Sequence, residues 1–329
     1  MFLHGMGRRS LLAGMAGGLL GAATRGAHTQ VFPERAVRIV VPYSVGVGPD
    51  VVARSVGERL AQVWKQAVVI DNKPGGSGIV AFGEVRRTPA DGHTLFLADA
   101  STMAVNPLLH ASLPYDPVRD LVPLSLLFRA TFVLWVGGQS RFRSVPDLLD
   151  AARRSPERVS YASLGNGHPS QLAIETLLLR AGVRMLHVPF KDAGALFSAV
   201  ATSEVDFTAF SVNTVAGLMT AGRLRPLAVA AKARLSAYPD IPTLVEAGGP
   251  AVEMHPWAGL VAVAGTPAPA LEQLHRDIVE ALGAPEVRRQ AMQAGFEITP
   301  STPSAMRQRI DADVAAYSPL ITEGRLARV

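Results

Sequence analysis

From residue 36 onward the chain alternates between two hydrophobic rhythms. Val37, Ile39 and Val41 fall in a β-branched run with Arg38 and Val40 between them, the pattern of a mostly buried strand, and Pro42 ends it. Val52, Val56, Leu60 and Val63 then recur at helical spacing and predict a helix opening at Pro49, a residue suited to the first helical position. Between strand and helix, Gly46 and Gly48 permit backbone angles that other residues resist. A strand, a glycine turn and a helix start in succession leave unpaired backbone N–H groups at the carboxyl end of the strand, which is a place for an anion.

The same alternation continues along the chain. Strands are expected at 68–71, 94–98, 131–136, 159–162, 185–190, 205–210, 225–231 and 257–264, with helices at 79–85, 193–201, 270–282, 285–294 and 302–323. Residues 99–103 read as a polar turn, followed by a short helix from Ala104 that Pro107 breaks, and 113–117 as a rigid Pro-bounded connection. The unit after residue 159 repeats the opening one: Gly165-Asn-Gly167-His-Pro169 stands where Gly46-Val-Gly48-Pro49 stood, again ahead of a helix with Ile174, Leu178 and Ala181 on one face. Strands alternating with helices imply parallel sheets, and two such glycine turns far apart imply two sheets facing each other, with both turns lining one cleft. The fold class is therefore α/β, with two doubly wound domains. Residues 28–128 with 254–329 form the first and 129–253 the second, with crossovers near Phe128 and Glu253.

Composition changes this picture at the amino terminus. The 329 residues carry 32 Lys and Arg against 27 Asp and Glu, a net +5 that would suggest an acidic partner. Arg8 and Arg9, however, precede an apolar run at 11–23 that is too short to span a bilayer, and this reads as an export signal over residues 1–27. The stretch GRRSLLAG resembles a twin-arginine signal, with a general secretory signal as the alternative, and cleavage is expected after Ala23 or Ala27. Removing Arg8, Arg9 and Arg25 leaves 29 basic and 27 acidic residues, a net +2. The remaining charges are mixed with no basic stripe, so no nucleic-acid partner is expected. No Cys occurs, hence no disulfide framework. A soluble periplasmic protein is expected.

Candidate enzyme chemistry is thin. Val51 stands where the third Gly of a G-x-G-x-x-G fingerprint belongs, so the first turn matches a dinucleotide site only in part. No G-x-S-x-G surrounds a serine; Ser77 in Gly75-Gly-Ser-Gly-Ile79 lacks the last glycine. The eight His are dispersed with no H-E-x-x-H, and Glu272 with His275 reads as a solvated helix face, so neither metal nor cofactor is expected. His168 could donate to a ligand or cap the helix after it. Lys191 and Asp192, at another strand end, either face the cleft or form a surface pair.

Several segments together resemble the exported solute receptors of tripartite tricarboxylate transporters, the Bug family: VPYSVGVGPDVVAR at 41–54, IDNKPGGSG at 70–78, ADGHTLFLADAST from 90, LPYDPVRDLVPLSLL at 113–127, YASLGNGHPSQLA at 161–173, HVPFKDAGA at 187–195, GRLRPLAVAA at 222–231, and YPDIPTLVEAG with AGTPAP. The resemblance implies a periplasmic-binding-protein-like flytrap, with no catalysis, whose two lobes close on a small carboxylate held by backbone amides of two facing turns. Delivery to membrane permease subunits is implied, by a monomeric carrier. The expected ligand-binding set is Tyr43, Ser44, Gly46, Val47, Gly48 and Asp50 in the first turn and Ser163, Gly165, Asn166, Gly167 and His168 in the second. Ser77, Asp99, Ser101, Thr102, Lys191, Asp192 and Phe210 join it from neighbouring strand ends.

The chain departs from the family pattern where ligand would sit. The turn commonly reads P-G-G-G-T-D, whereas Val45-Gly-Val-Gly-Pro-Asp50 stands here, so Pro49 removes a hydroxyl and an N–H and Val47 adds a side chain. Ile79 stands where Asn is frequent, Phe210 where Asp often ends the strand, and Asp192 where Gly is usual. These changes point to a more apolar or aromatic monocarboxylate. A secreted enzyme or a sensing subunit for a membrane kinase on the same scaffold are the alternative functions.

Overall fold

A computed structural model describes residues 32–326 and 328 apart from Glu157, and the expected export signal lies outside the described residues. The first strand–helix units are β1 (Val37–Val41), α1 (Gly48–Trp64), β2 (Val68–Asn72), α2 (Ile79–Val85) and β3 (Thr94–Asp99). A π-helical turn at Ser101–Val105 runs directly into α3 (Asn106–Leu109), followed by α4 (Pro117–Asp120) and β4 (Leu121–Arg129). The middle of the chain supplies β5 (Val133–Gly137), α5 (Val145–Arg154), β6 (Ser160–Ser163), α6 (Pro169–Ala181), β7 (Leu186–Pro189), α7 (Ala193–Ala201), β8 (Phe207–Phe210), α8 (Val212–Thr220) and β9 (Leu224–Val229). It closes with β10 (Trp257–Val263), α9 (Ala268–Gly283), α10 (Pro285–Gln293), β11 (Glu297–Ile298) and α11 (Pro303–Thr322).

Local chemistry explains where the helices begin. Ser144 and Asp147 form a reciprocal capping box at α5, and Asp192 and Thr302 accept N–H bonds at the starts of α7 and α11. Gly182, left-handed at φ +66°, ends α6. Pro107 does not break a helix as expected; it sits in the first turn of α3, and the helical path from the π-helical turn runs on through it to Leu109.

The strands form a six-stranded sheet in the order β11-β4-β10-β3-β1-β2 and a five-stranded one in the order β7-β6-β8-β5-β9. Both are mixed rather than parallel. β2, β1 and β3 run parallel, as do β7, β6 and β8, but β10 is antiparallel to β3 and β4, and β5 to β8 and β9. The reason is connectivity: β5 and β10 enter their sheets from the other sheet, with no crossover helix to impose a parallel direction. The two connecting segments run side by side, Ala130 N–H donating to Pro256 O at 2.8 Å and Phe132 N–H to Met254 O at 3.1 Å.

Helices cover both faces of each sheet. In the first, Val37, Ile39 and Val41 pack with Val52, Val56 and Leu60 of α1 and Leu274 and Ile278 of α9, while Val40, Phe96 and Ala98 face Phe82 of α2 and Met306 and Ile310 of α11. In the second, Leu134, Tyr161 and Phe207 pack on α5 and α6, while Val133, Trp135 and Ala162 pack on α7 and α8. Each buried Val, Leu, Ile, Phe or Met side chain among them contributes ~1.5–3 kcal/mol. A smaller cluster joins the two lobes: Val105 and Leu109 meet Leu172 of α6 and Leu320, Ile321 and Leu326 from the carboxyl end of the chain.

Candidate functional site

Because β1, β2 and β3 are parallel, the turns that follow them leave one edge of the first sheet, and those after β6, β7 and β8 leave one edge of the second. The first turn, 42–47, bends at Gly46 with φ +83°, where an added Cβ would meet open space. Asp50 holds it from beneath. Its buried carboxylate accepts from Gly46 N–H at 2.8 Å, Asn72 Nδ2 at 2.7 Å and Arg54 Nε at 3.0 Å. Burial alone would raise its pKa, but the bonds from Arg54, Gly46 and Asn72 hold it below the usual carboxylate value. Asp50 is thus spent on the turn. Ser44, Val45 and Val47 point to the surface, and no side chain caps the start of α1.

Tyr43 donates to the carboxylate of Asp99, whose other oxygen accepts Thr102 N–H at 2.8 Å. Tyr43 is half-buried and Asp99 buried, and loss of water pushes both pKa values up, the Asp99 charge adding to the effect on Tyr43. The π-helical turn beside them places Ser101. From Gly75 to Gly78 every residue has a positive φ, including Ser77 at +48°, and a Cβ on Gly78 would stand 2.2 Å from Thr102 Cγ2. This packs the loop after β2 against the one after β3. Asn106 Nδ2 ties them, donating to Ser77 O and to Tyr115 Oη at 3.0 Å each.

The second turn meets this edge directly. Ser77 Oγ donates to Asn166 O at 3.2 Å, and Ser101 Oγ to Gly167 O at 2.8 Å. Contrary to the expectation of free donors, three N–H groups of this turn are occupied: Leu164 bonds Ser170 Oγ, Gly165 bonds Ser163 Oγ, and Gly167 bonds Gln171 Oε1 at 2.7 Å. Short polar side chains inside the turn and the first turn of α6 supply those acceptors, so the turn offers carbonyls to the other lobe. His168 caps α6 through Nδ1, which accepts Ser170 N–H at 3.2 Å. Burial lowers its pKa to about 4, and that of His187 to about 4 as well, so both are neutral at pH 7.

Sites farther along the edge are not joined to this network. Lys191 is exposed, and Asp192 accepts Ala195 N–H at 2.8 Å as the cap of α7. Phe210 is buried, its ring 5.0 Å from Phe197 and 5.8 Å from Phe132, so it belongs to the lobe core. Ile79 is half-buried at the start of α2. Sequence reading did not include Asn72, Asn106, Tyr115, Gln171 and His187 in the site. Gln171 carried one usable signal, its place in the first turn of a helix that follows a glycine turn. Behind the second turn a cavity of about 280 Å³ is lined by Glu175, Arg184, Met185, Leu186, His187 and Arg325.

The family model described as "Tripartite tricarboxylate transporter family receptor" matches residues 52–326. The chain belongs to this family, the Bug proteins. A Pseudomonas sp. (strain P51) protein described as a UPF0065 protein in the tcbD-tcbE intergenic region is 34% identical over 325 residues, covering 98% of this chain and 96% of its own. An R. palustris protein solved with adipate shares 30% identity and a TM-score of 0.81, with 91% of this chain and 100% of that one aligned. MatC from Rhodopseudomonas palustris, solved with bound malate, shares 26% identity and a TM-score of 0.78 over 88% of this chain and 100% of its own. The two-sheet α/β architecture is shared with the periplasmic binding protein BugD, at 26% identity and a TM-score of 0.78.

Proposed function

We propose that the chain is a periplasmic solute-binding protein that captures a small carboxylate between its lobes and presents it to the membrane subunits of a tripartite transporter. The observation that carries this is the meeting of two strand-end edges, one from each sheet, through Ser77–Asn166 and Ser101–Gly167. Ligands of open α/β sheets sit at such edges. The two side-by-side connections at Ala130 and Pro256 serve as the hinge between residues 28–128 with 254–329 and residues 129–253. Closure follows from the ligand's higher affinity for the closed form. The uncapped start of α1 is the anchor for the carboxylate, at ~0.3–1 kcal/mol when exposed and up to ~2 when partly buried. Relatives solved with adipate and malate support the ligand class, and the expected signal at residues 1–27 supports the location. Among the described residues no helix is long and apolar enough to cross a membrane.

Val45 and Val47, 69% and 40% exposed on the first turn, favour an apolar or aromatic monocarboxylate over a tricarboxylate. Thermal denaturation of the mature protein against mono-, di- and tricarboxylates and their amides tests both statements. A carboxylate at ~100 times its Kd adds ~2.7 kcal/mol, a shift of several degrees, and its amide adds nothing. Equal shifts by acid and amide refute carboxylate capture. Tighter binding of di- or tricarboxylates than of aromatic monoacids refutes the apolar preference alone.

A further inference from the structure

The second turn is held by a chain of hydrogen bonds whose direction can be read from one end. A main-chain N–H only donates, so the Gln171 atom 2.7 Å from the Gly167 nitrogen is Oε1. Gln171 Nε2 then faces His187 Nδ1 at 3.1 Å and donates to it. With Nδ1 accepting, the proton of the neutral ring sits on Nε2 and is donated to Ser163 Oγ, 2.6 Å away. Ser163 Oγ in turn donates to Gly165 O at 3.1 Å and accepts Gly165 N–H at 3.2 Å.

The Gly167 end of this chain reaches the other lobe because a peptide unit is planar and trans. The N–H of Gly167 and the carbonyl of Asn166 belong to one unit and point in opposite directions. With the N–H drawn inward to Gln171, the carbonyl turns outward, where Ser77 Oγ of the first lobe donates to it. Gly167 makes this approach at φ +72°, so close that a Cβ on it would stand 3.1 Å from Leu109 Cδ1.

We propose that Gln171 and His187 are positioning residues for lobe closure: their relay sets the Asn166–Gly167 peptide so that its carbonyl meets Ser77, and the closed arrangement depends on that orientation. This deepens the solute-capture reading, since closure is the step it controls. The groups facing His187 are Tyr161, whose ring stacks on it at 5.0 Å, and Ser163 from β6; Gln171 and Glu175 from α6; and Arg184 and Arg325 across the cavity.

The test reads closure in the absence of any ligand. The Cys-free chain accepts spin labels at Val118→Cys and Val245→Cys, exposed positions on opposite lobes, and pulsed dipolar spectroscopy reports the distance between them. Gln171→Met, which keeps length and removes both polar ends, is expected to raise the longer-distance population several-fold. Gln171→Glu still accepts from Gly167 and can hold His187 as an imidazolium, so it restores closure and shows both ring nitrogens protonated at pH 7 in long-range ¹H–¹⁵N spectra. Ser77→Ala combined with Gln171→Met opens the lobes no further than Gln171→Met alone, because both act through one carbonyl. An unchanged distance distribution in Gln171→Met, or additive opening in the double variant, overturns the proposal. So does a proton on Nδ1 of His187 in the unsubstituted protein at pH 7, a measurement that needs no variant to fold. A carboxylate panel without a hit would remove the solute reading and leave this one standing.

Discussion

Burial keeps His168 and His187 neutral beside the second turn, each lowered from 6.5 to about 4. Between those values the unfolded chain binds more protons than the folded one, so their contribution to stability is full above pH 6.5 and is lost as pH falls toward 4. The buried carboxyls of Asp99, Glu175 and Asp313 are shifted up by burial and act in the opposite sense, so the comparison is made between proteins. His168→Asn retains a side-chain cap and removes one of the titrations. Its Tm relative to the unsubstituted protein is expected to rise as pH is lowered from 6.5 to 4. A constant difference across that range contradicts the assignment. The residue types at the turns were legible in the sequence, but the task of each was not. Asp50 and Asp99 stood in the expected site, and tertiary contacts turn both inward to hold loops together.

At the scale of the element, the turns after β1 and β2 both use left-handed glycine for different reasons. Gly46 has open space around it, so Gly46→Ala costs only the backbone strain of ~1–2 kcal/mol. Gly78→Ala adds a 2.2 Å clash with Thr102 Cγ2 and is expected to cost clearly more. Urea unfolding of the two variants measures the difference, and equal losses would mean that the Thr102 side chain simply moves aside. Most helix starts and most strands were legible, α2 and α7 to the residue, because caps, prolines and hydrophobic spacing act locally. The strand β4 was missed: its Pro123 argues against a central strand, yet it pairs with Val261 beside a register shift that accommodates it. The helix α8 and the two-residue β11 also escaped, the first because only Val212 and Val215 of it are buried, the second because its pairing with β4 is entirely non-local.

At the scale of the whole molecule, the carboxyl end of the chain straps the lobes together. α11 packs on the first lobe, while Leu320, Ile321 and Leu326 beyond it meet Leu172 of the second. Arg325 donates to Val183 O at 2.9 Å and lies 3.6 Å from Glu175, both side chains being over nine-tenths buried. Arg325→Met leaves that carboxyl without its cation and is expected to cost ~3–5 kcal/mol at pH 8, less at pH 5, where Glu175 can take up a proton instead. Urea unfolding at the two pH values checks the sign; a larger loss at pH 5 would refute it. The sequence by itself determined the α/β class, the two glycine turns and their place at strand ends, since these depend on spacing and backbone freedom within a few residues. Only the tertiary structure decided that the sheets are mixed, that the second turn presents carbonyls rather than free N–H groups, and that Phe210 is core. Those outcomes depend on which distant groups, such as Ser77, Ser101, Gln171 and Phe197, arrive beside them when the chain crosses between lobes.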